Sequence, residues 1–343
     1  MGVRVKRLLR VTLGAILLNA LTSFAEQPAY QHGISLLHEL KYSVDFQHFE
    51  YANPNAPKGD KLKLSTTNYI QNFAGVPGTG VPNAQGLGRT VDHLLVRTAD
   101  ELSGLYGQLV SGIALSADRR SLYLRLHEKA RWHDGVPLTS RDVKFSYEDL
   151  LTRVFGKVYL ATWIESMEIV NDKELILYHR DVFTNSNLVA LTWFPIRPAH
   201  YYADIDPGAP TLTPPVGSGP YRVVAFDKGY IRYERVKDYW GKDIPVNRGR
   251  YNFDVIQYDV YRDATVAREG LRKGLFDIYF ETDIRHWESS YDVPALSEGL
   301  IVKETRSLEK FIGQQTTIVM NLDLERLQDV RVREALALAF DFE

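Results

Sequence analysis

Between Leu122 and Leu151 the spacing of apolar residues changes period once, and no other stretch narrows the fold so far. Leu122, Leu124 and Leu126 alternate with Tyr123, Arg125 and His127, the two-residue period of a half-buried strand. Asp134-Gly135 then makes a tight turn, because glycine takes positive φ without steric cost, and Pro137 fixes φ ahead of a helix. Thr139 is placed to cap that helix, with Asp142 completing a capping box. Val143, Tyr147, Leu150 and Leu151 fall on one helical face. The unit is strand, turn, helix, which points to an α/β fold.

The other elements fit that class. Residues 61–65 alternate like a strand after the turn-rich loop Asn53-Pro54-Asn55-Ala56-Pro57-Lys58-Gly59. Residues 166–180 read as a hairpin turning at Asn171-Asp172-Lys173, and a second strand pair turns at Asp227-Lys228-Gly229. Residues 91–109 have helical spacing at Leu94, Leu95, Leu102 and Leu105. Residues 255–260 read as a strand, Asp263 as the cap of a helix that stops at Gly274, and Phe276, Ile278 and Phe280 as the next strand. Together they predict a parallel crossover. Met320-Asn321-Leu322 ends a further strand. Asp329 caps a helix with an apolar stripe at Val332, Ala335, Leu336, Ala339 and Phe340.

Residues 1–25 have the pattern of a secretory signal. Arg4, Lys6, Arg7 and Arg10 precede a short apolar core, and Ser23-Phe24-Ala25 offers small residues for cleavage. The core is too short for a stable transmembrane helix, so no stable membrane insertion is expected. The chain has no cysteine, hence no disulfide, no thiolate metal site and no lipid-anchored cysteine. Its 45% hydrophobic content supplies the core that must serve instead. The net charge is −2 and no basic stripe is interleaved with aromatics, so nucleic acid is not an expected partner.

Several motifs fail on inspection. Gly75, Gly78, Gly80, Gly86 and Gly88 are followed by no Lys-Ser/Thr and lack the third glycine of a dinucleotide site. Gly217-Ser218-Gly219 lacks the Gly-x-Ser-x-Gly spacing of a hydrolase elbow. His32, His38 and His48 are too scattered for metal ligands. No catalytic set, metal site or cofactor is expected.

Four blocks, in order, carry a resemblance. They are Trp132-His133-Asp134-Gly135-Val136-Pro137-Leu138-Thr139 with Asp142-Val143, then Pro215-Val216-Gly217-Ser218-Gly219-Pro220-Tyr221, then Tyr239-Trp240, then Asp329-Val330-Arg331-Val332-Arg333-Glu334-Ala335. The chain resembles the family 5 periplasmic solute-binding proteins of ABC importers, the peptide- and nickel-binding group. Residues 32–65 and 251–277 look like its YejA-type subgroup, which takes oligopeptides and compounds of the microcin C kind. The resemblance implies an α/β type II periplasmic-binding architecture of two lobes joined by a hinge. It implies a monomer, a peptide ligand, and delivery in a Gram-negative periplasm to an inner-membrane ABC permease and its ATPase. Lobe I is expected over residues 26–262, with a family-specific subdomain at about 66–190, and lobe II begins at 263–343 and stays incomplete, since family members are longer. Tyr69, Asn72 and Phe73 occupy the position of a cleft-facing loop, Trp193 and Tyr221 are further candidate contacts, and Tyr261 and Arg262 fall near the hinge. The alternatives are a nickel- or haem-binding member of the same family and an exported hydrolase.

If the leader is read correctly, exported protein is cleaved after Ala25. N-terminal sequencing of the periplasmic fraction then begins at Glu26, whereas an intact Met1 in the membrane fraction refutes the reading.

Overall fold

The computed structural model describes residues 28–74, 81–150, 163–207, 209–305 and 320–339. The expected leader, Gly75, Gly78, Gly80, Leu151 and Phe340 lie outside them. In chain order the strands are β1 (Gly33–Ile34), β2 (Gly59–Thr66), β3 (Leu95–Arg97), β4 (Leu105–Gly107), β5 (Val110–Leu115) and β6 (Ser121–Leu126). There follow β7 (Ile164–Asn171), β8 (Glu174–His179), β9 (Tyr221–Phe226), β10 (Tyr230–Arg235) and β11 (Phe253–Val260). The helices are α1 (Ser140–Lys144), α2 (Asn185–Ala190), α3 (Ala264–Arg272), α4 (Ile284–Ser289), α5 (Pro294–Ser297), α6 (Glu325–Gln328) and α7 (Val330–Leu338).

The alternation at residues 122–126 does what its period requires. Leu122, Leu124 and Leu126 point into the largest core, beneath an antiparallel sheet of order β5-β6-β8-β7. The β7–β8 hairpin turns where expected, with Lys173 N donating to Asn171 Oδ1 at 2.8 Å. Thr139 caps α1, and Asp142 closes the capping box by accepting Thr139 N at 2.8 Å. Val143 and Tyr147 are buried on the expected face. The helix widens to π geometry over Phe145–Leu150, a departure from the simple α period.

The second sheet has the order β2-β11-β10-β9. β9, β10 and β11 are antiparallel neighbours, and Asp227 Oδ1 closes their first turn by accepting Gly229 N at 2.6 Å. β2 and β11 are parallel, with Leu64 opposite Tyr258 and Thr66 opposite Val260. A separate core of Leu64, Phe73, Tyr221, Ile231, Tyr233 and Ile256 lines this sheet. β1, β4 and β3 make a small third sheet, and Tyr42, Phe49 and Tyr106 form an aromatic cluster beside it.

Two expectations need correction. The helix read over 91–109 is a strand pair, β3 and β4, with Leu95 opposite Gly107. Its apolar positions fit either structure, and the side chains of the intervening turn decide: Asp100 and Glu101 accept from Thr98, Tyr42, Lys41 and Tyr106. The strand read over 276–280 shrinks to one parallel bridge between Leu64 and Ile278. Asp277 replaces the ladder there, since its carboxylate accepts Lys63 N at 2.6 Å while its own N–H donates to Lys63 O at 2.9 Å. Asp263 and Asp329 cap α3 and α7 as expected, and Gly274 ends α3 with φ of 64°.

Candidate functional site

The turn after β6 is a clamp. Gly135 takes φ of 89°, and its N–H donates to Trp132 O at 3.0 Å, while Asp134 Oδ1 accepts Val136 N at 3.1 Å. Trp132 is buried in the large core, which fixes the turn from below. His133 and Asp134 therefore reach outward. His133 N donates to Gly217 O at 2.7 Å, and its Nε2 lies 2.8 Å from Gly219 O, where the ring nitrogen donates. Asp134 Oδ2 lies 2.8 Å from His200 Nε2. From the following helix, Asp142 Oδ1 accepts Ala199 N at 2.9 Å, and Ser146 Oγ accepts Arg197 N at 2.8 Å. Both ends of the segment 197–219 are thus held by one block. The glycines of its far end are needed for close approach: a Cβ on Gly217 would stand 2.0 Å from Thr90 O, and one on Gly219 2.6 Å from Val91 N.

Behind the clamp sits Asp92, fully buried. Its Oδ1 accepts Tyr239 Oη at 2.6 Å and Gln108 Nε2 at 3.2 Å, and its Oδ2 accepts Trp240 Nε1 at 3.0 Å. Its own N–H donates to Ser218 Oγ at 3.1 Å. Asn247 Nδ2 holds the Tyr239 hydroxyl from the other side at 3.1 Å. Burial pushes the Asp92 carboxyl up to about 7, against the hydrogen bonds from Tyr239 and Trp240 that favour its ionised form. Neighbouring His93 is pushed down to about 4 by burial and by the charge of Arg197. A cavity of about 90 Å³ remains between Trp132, His133, Ser218, Tyr239 and Trp240. That is the share of roughly three waters, too little for a peptide. The hub joins framework.

Sequence reasoning missed Asp92 and Gln108 because both fall in the stretch read as a helix. The available signal was an acidic residue, Asp92, set among Val91, Leu94 and Leu95. A carboxylate in an apolar run demands donors from elsewhere.

The open edge lies at the other sheet. β2 and β11 are parallel and end side by side, so the segments after Thr66 and Val260 leave from the same carboxyl edge. Ligands of open α/β sheets bind at such edges. Tyr69 stands there half exposed. Tyr261 N donates to Thr66 O at 2.8 Å, and its ring packs on Phe276 at 5.4 Å. Arg262 is exposed and pairs with Asp263 at 2.9 Å. Asn72, Phe73 and Tyr221 turn inward. Asn72 Oδ1 accepts Ala74 N and Thr211 N, at 2.9 Å and 3.0 Å. Phe73 packs on Phe226, and the Tyr221 hydroxyl donates to Phe253 O at 2.8 Å. Trp193 is exposed beyond α2. Among the described residues no three His, Cys, Asp or Glu side chains gather as a metal site.

A family model described as bacterial extracellular solute-binding proteins, family 5 Middle, matches residues 104–343. The chain is 36% identical over 319 residues to YejA of Escherichia coli, an uncharacterized protein, covering 91% of this chain and 51% of that one. It is 34% identical over 346 residues to a probable peptide-binding protein, YejA, of Agrobacterium fabrum, covering 98% of this chain and 56% of that one. The chain thus spans about half the length of the curated relatives it matches. A solved structure of the oligopeptide-binding protein AppA of Bacillus subtilis with a nonapeptide superposes with a TM-score of 0.55 at 20% identity, over 69% of this chain and 47% of that one.

The buried carboxyl predicts a pH dependence. Its folded pKa lies above its unfolded one, so the protonated form is favoured in the fold. The stability it contributes is fully present below about pH 4 and is lost as pH rises through about 7. Urea unfolding of the wild-type chain loses on the order of 2–4 kcal/mol between pH 5 and pH 8 relative to Asp92→Asn. Parallel pH profiles for the two proteins would contradict the assignment.

Proposed function

The chain belongs to family 5 of the bacterial extracellular solute-binding proteins, and on that premise we propose that it binds oligopeptides for an ABC importer. The fold is the α/β type II periplasmic-binding architecture, present here in part. The family is one of binding proteins rather than enzymes. Among the described residues no helix is long and apolar enough to cross a membrane.

One observation carries the reading: a probable peptide-binding protein aligns over 98% of the chain. The sheet edge suits that ligand. An extended peptide offers main-chain donors and acceptors that a protein backbone can pair whatever the side chains are. Its charged α-amino group needs a carboxylate partner, because a buried unpaired charge costs several kcal/mol. We assign Tyr69 and Trp193 as exposed aromatic contacts. Asn72, Phe73 and Tyr221 support the contact surface from behind. Tyr261 and Arg262 form the hinge between lobe I, residues 26–262 with its subdomain at about 66–190, and a lobe II that opens at 263. The protein is exported by its leader, works as a periplasmic monomer, and hands its peptide to an inner-membrane permease and ATPase without cleaving it.

Calorimetric titration of the purified chain with a peptide library, run beside nickel and haem, tests this. Saturable binding of peptides that mass spectrometry recovers intact is the expected result. Tight nickel or haem binding with no peptide bound favours the alternative family members. Cleavage products that accumulate with the protein overturn the transport reading.

A further inference from the structure

Residues 35–41 follow β1 and form a strap that meets the turn between β3 and β4. His38 is where the two are joined. Its Nε2 lies 3.2 Å from Ser103 N and 3.1 Å from Ser103 Oγ, and its Nδ1 lies 2.8 Å from Glu39 O. A backbone N–H can only donate, and a carbonyl oxygen can only accept. Nε2 is therefore the bare nitrogen and Nδ1 carries the proton, an assignment that each contact reaches without the other. Ser103 is 2% exposed, so its amide has no water to turn to in place of the ring. The Ser103 hydroxyl also meets Ser35 Oγ at 2.9 Å, and Ser35 Oγ accepts Leu37 N at 3.3 Å and His38 N at 3.4 Å. The strap is thus tied to the turn through one imidazole and one pair of hydroxyls.

The imidazole is open to a proton. Its side chain is 30% exposed, and histidine is the side chain that ordinarily changes charge between pH 8 and pH 5. A proton arriving at Nε2 sets two donors against each other. The Ser103 hydroxyl can rotate and accept, whereas the Ser103 N–H cannot. Glu101 favours the charged ring: its Oε1 lies 3.5 Å from Nδ1 on a side chain only 5% exposed. Lys41 N and the Tyr106 hydroxyl donate to the same carboxylate and hold it in place. Asp100, next to it in the turn, is taken up by Lys41 Nζ at 2.6 Å and the Tyr42 hydroxyl at 2.5 Å, and Lys41 also pairs with Glu50 at 2.7 Å. Arg97 of β3 donates to Leu102 O at 3.3 Å, and Glu39 on the strap is exposed.

We propose that His38 is a pH-sensitive latch. Its neutral ring fastens residues 35–41 to the β3–β4 turn, and its protonation strips the Ser103 amide of its acceptor and loosens the strap. The inference does not depend on which ligand the protein binds.

Nitrogen-15 NMR of the full chain at pH 8 is expected to find Nε2 of His38 unprotonated and the proton on Nδ1. Amide exchange is then followed from pH 8 to pH 5. Protection of the Ser103 amide falls about tenfold as the His38 ring titrates, the scale of one buried donor losing its partner. Leu124 in β6 keeps its protection. The Asp92 carboxyl contributes more stability at the acid end of this range, so a general loosening of the fold does not explain the fall. His38→Gln supplies an acceptor of similar reach that takes no proton, and its Ser103 protection stays level. A proton on Nε2 at pH 8 overturns the latch, as does a Ser103 amide that follows Leu124 across the range; both readings use the wild type alone. A fall as large in His38→Gln as in the wild type overturns it too.

Discussion

A carboxylate taken out of water must be answered by donors, and Asp92 is answered from across the chain. Gln108 lies 16 residues away in sequence, Tyr239 147 and Trp240 148. No local structure can supply such partners. The hub therefore forms only when the segment from β3, the glycine turn at 217–219 and the Tyr239-Trp240 block have met. Removing one member leaves buried donors unpaired, at about 1–3 kcal/mol each. This is large against a total stability of about 5–15 kcal/mol. The tight seating of Gly217 and Gly219 on Thr90 and Val91 follows from the same requirement, since any Cβ there would hold the blocks apart.

The blocks that reveal the family from sequence thus act as fasteners. His133 and Asp134 grip the segment 197–219, and Asp142 and Ser146 grip its start. The proposed ligand contacts lie elsewhere, at Tyr69 on the segment that leaves β2 and at Trp193 beyond α2. This division explains how a signature can be plain in a sequence while the ligand stays hidden. The fasteners must satisfy one fixed geometry, whereas a surface that meets a ligand has only to present a shape.

Legibility in the sequence followed the range of the interaction. The alternation at Leu122, Leu124 and Leu126, the capping box of Thr139 and Asp142, the turns at Asn171 and Asp227 and the cap at Asp263 are local, and each is formed as read. The strand pair over 91–109 escaped because Leu94, Leu95, Leu102 and Leu105 satisfy a helical period as well as a strand–turn–strand one. What decides it is Asp100 and Glu101 meeting Lys41, Tyr42 and Tyr106, contacts invisible in spacing. The burial of Asn72, Phe73 and Tyr221 could not be read either, because it depends on which neighbour covers a loop.

The central claim is that Asp92 makes distant family blocks into one cooperative unit. Hydrogen exchange on Asp92→Ala tests it most directly. The account predicts that protection falls together at residues 90–94, 217–221 and 236–241, while the β2–β11 ladder keeps its own. Loss confined to the residues beside Asp92 in sequence would contradict it, because the blocks would then be standing without their shared carboxylate.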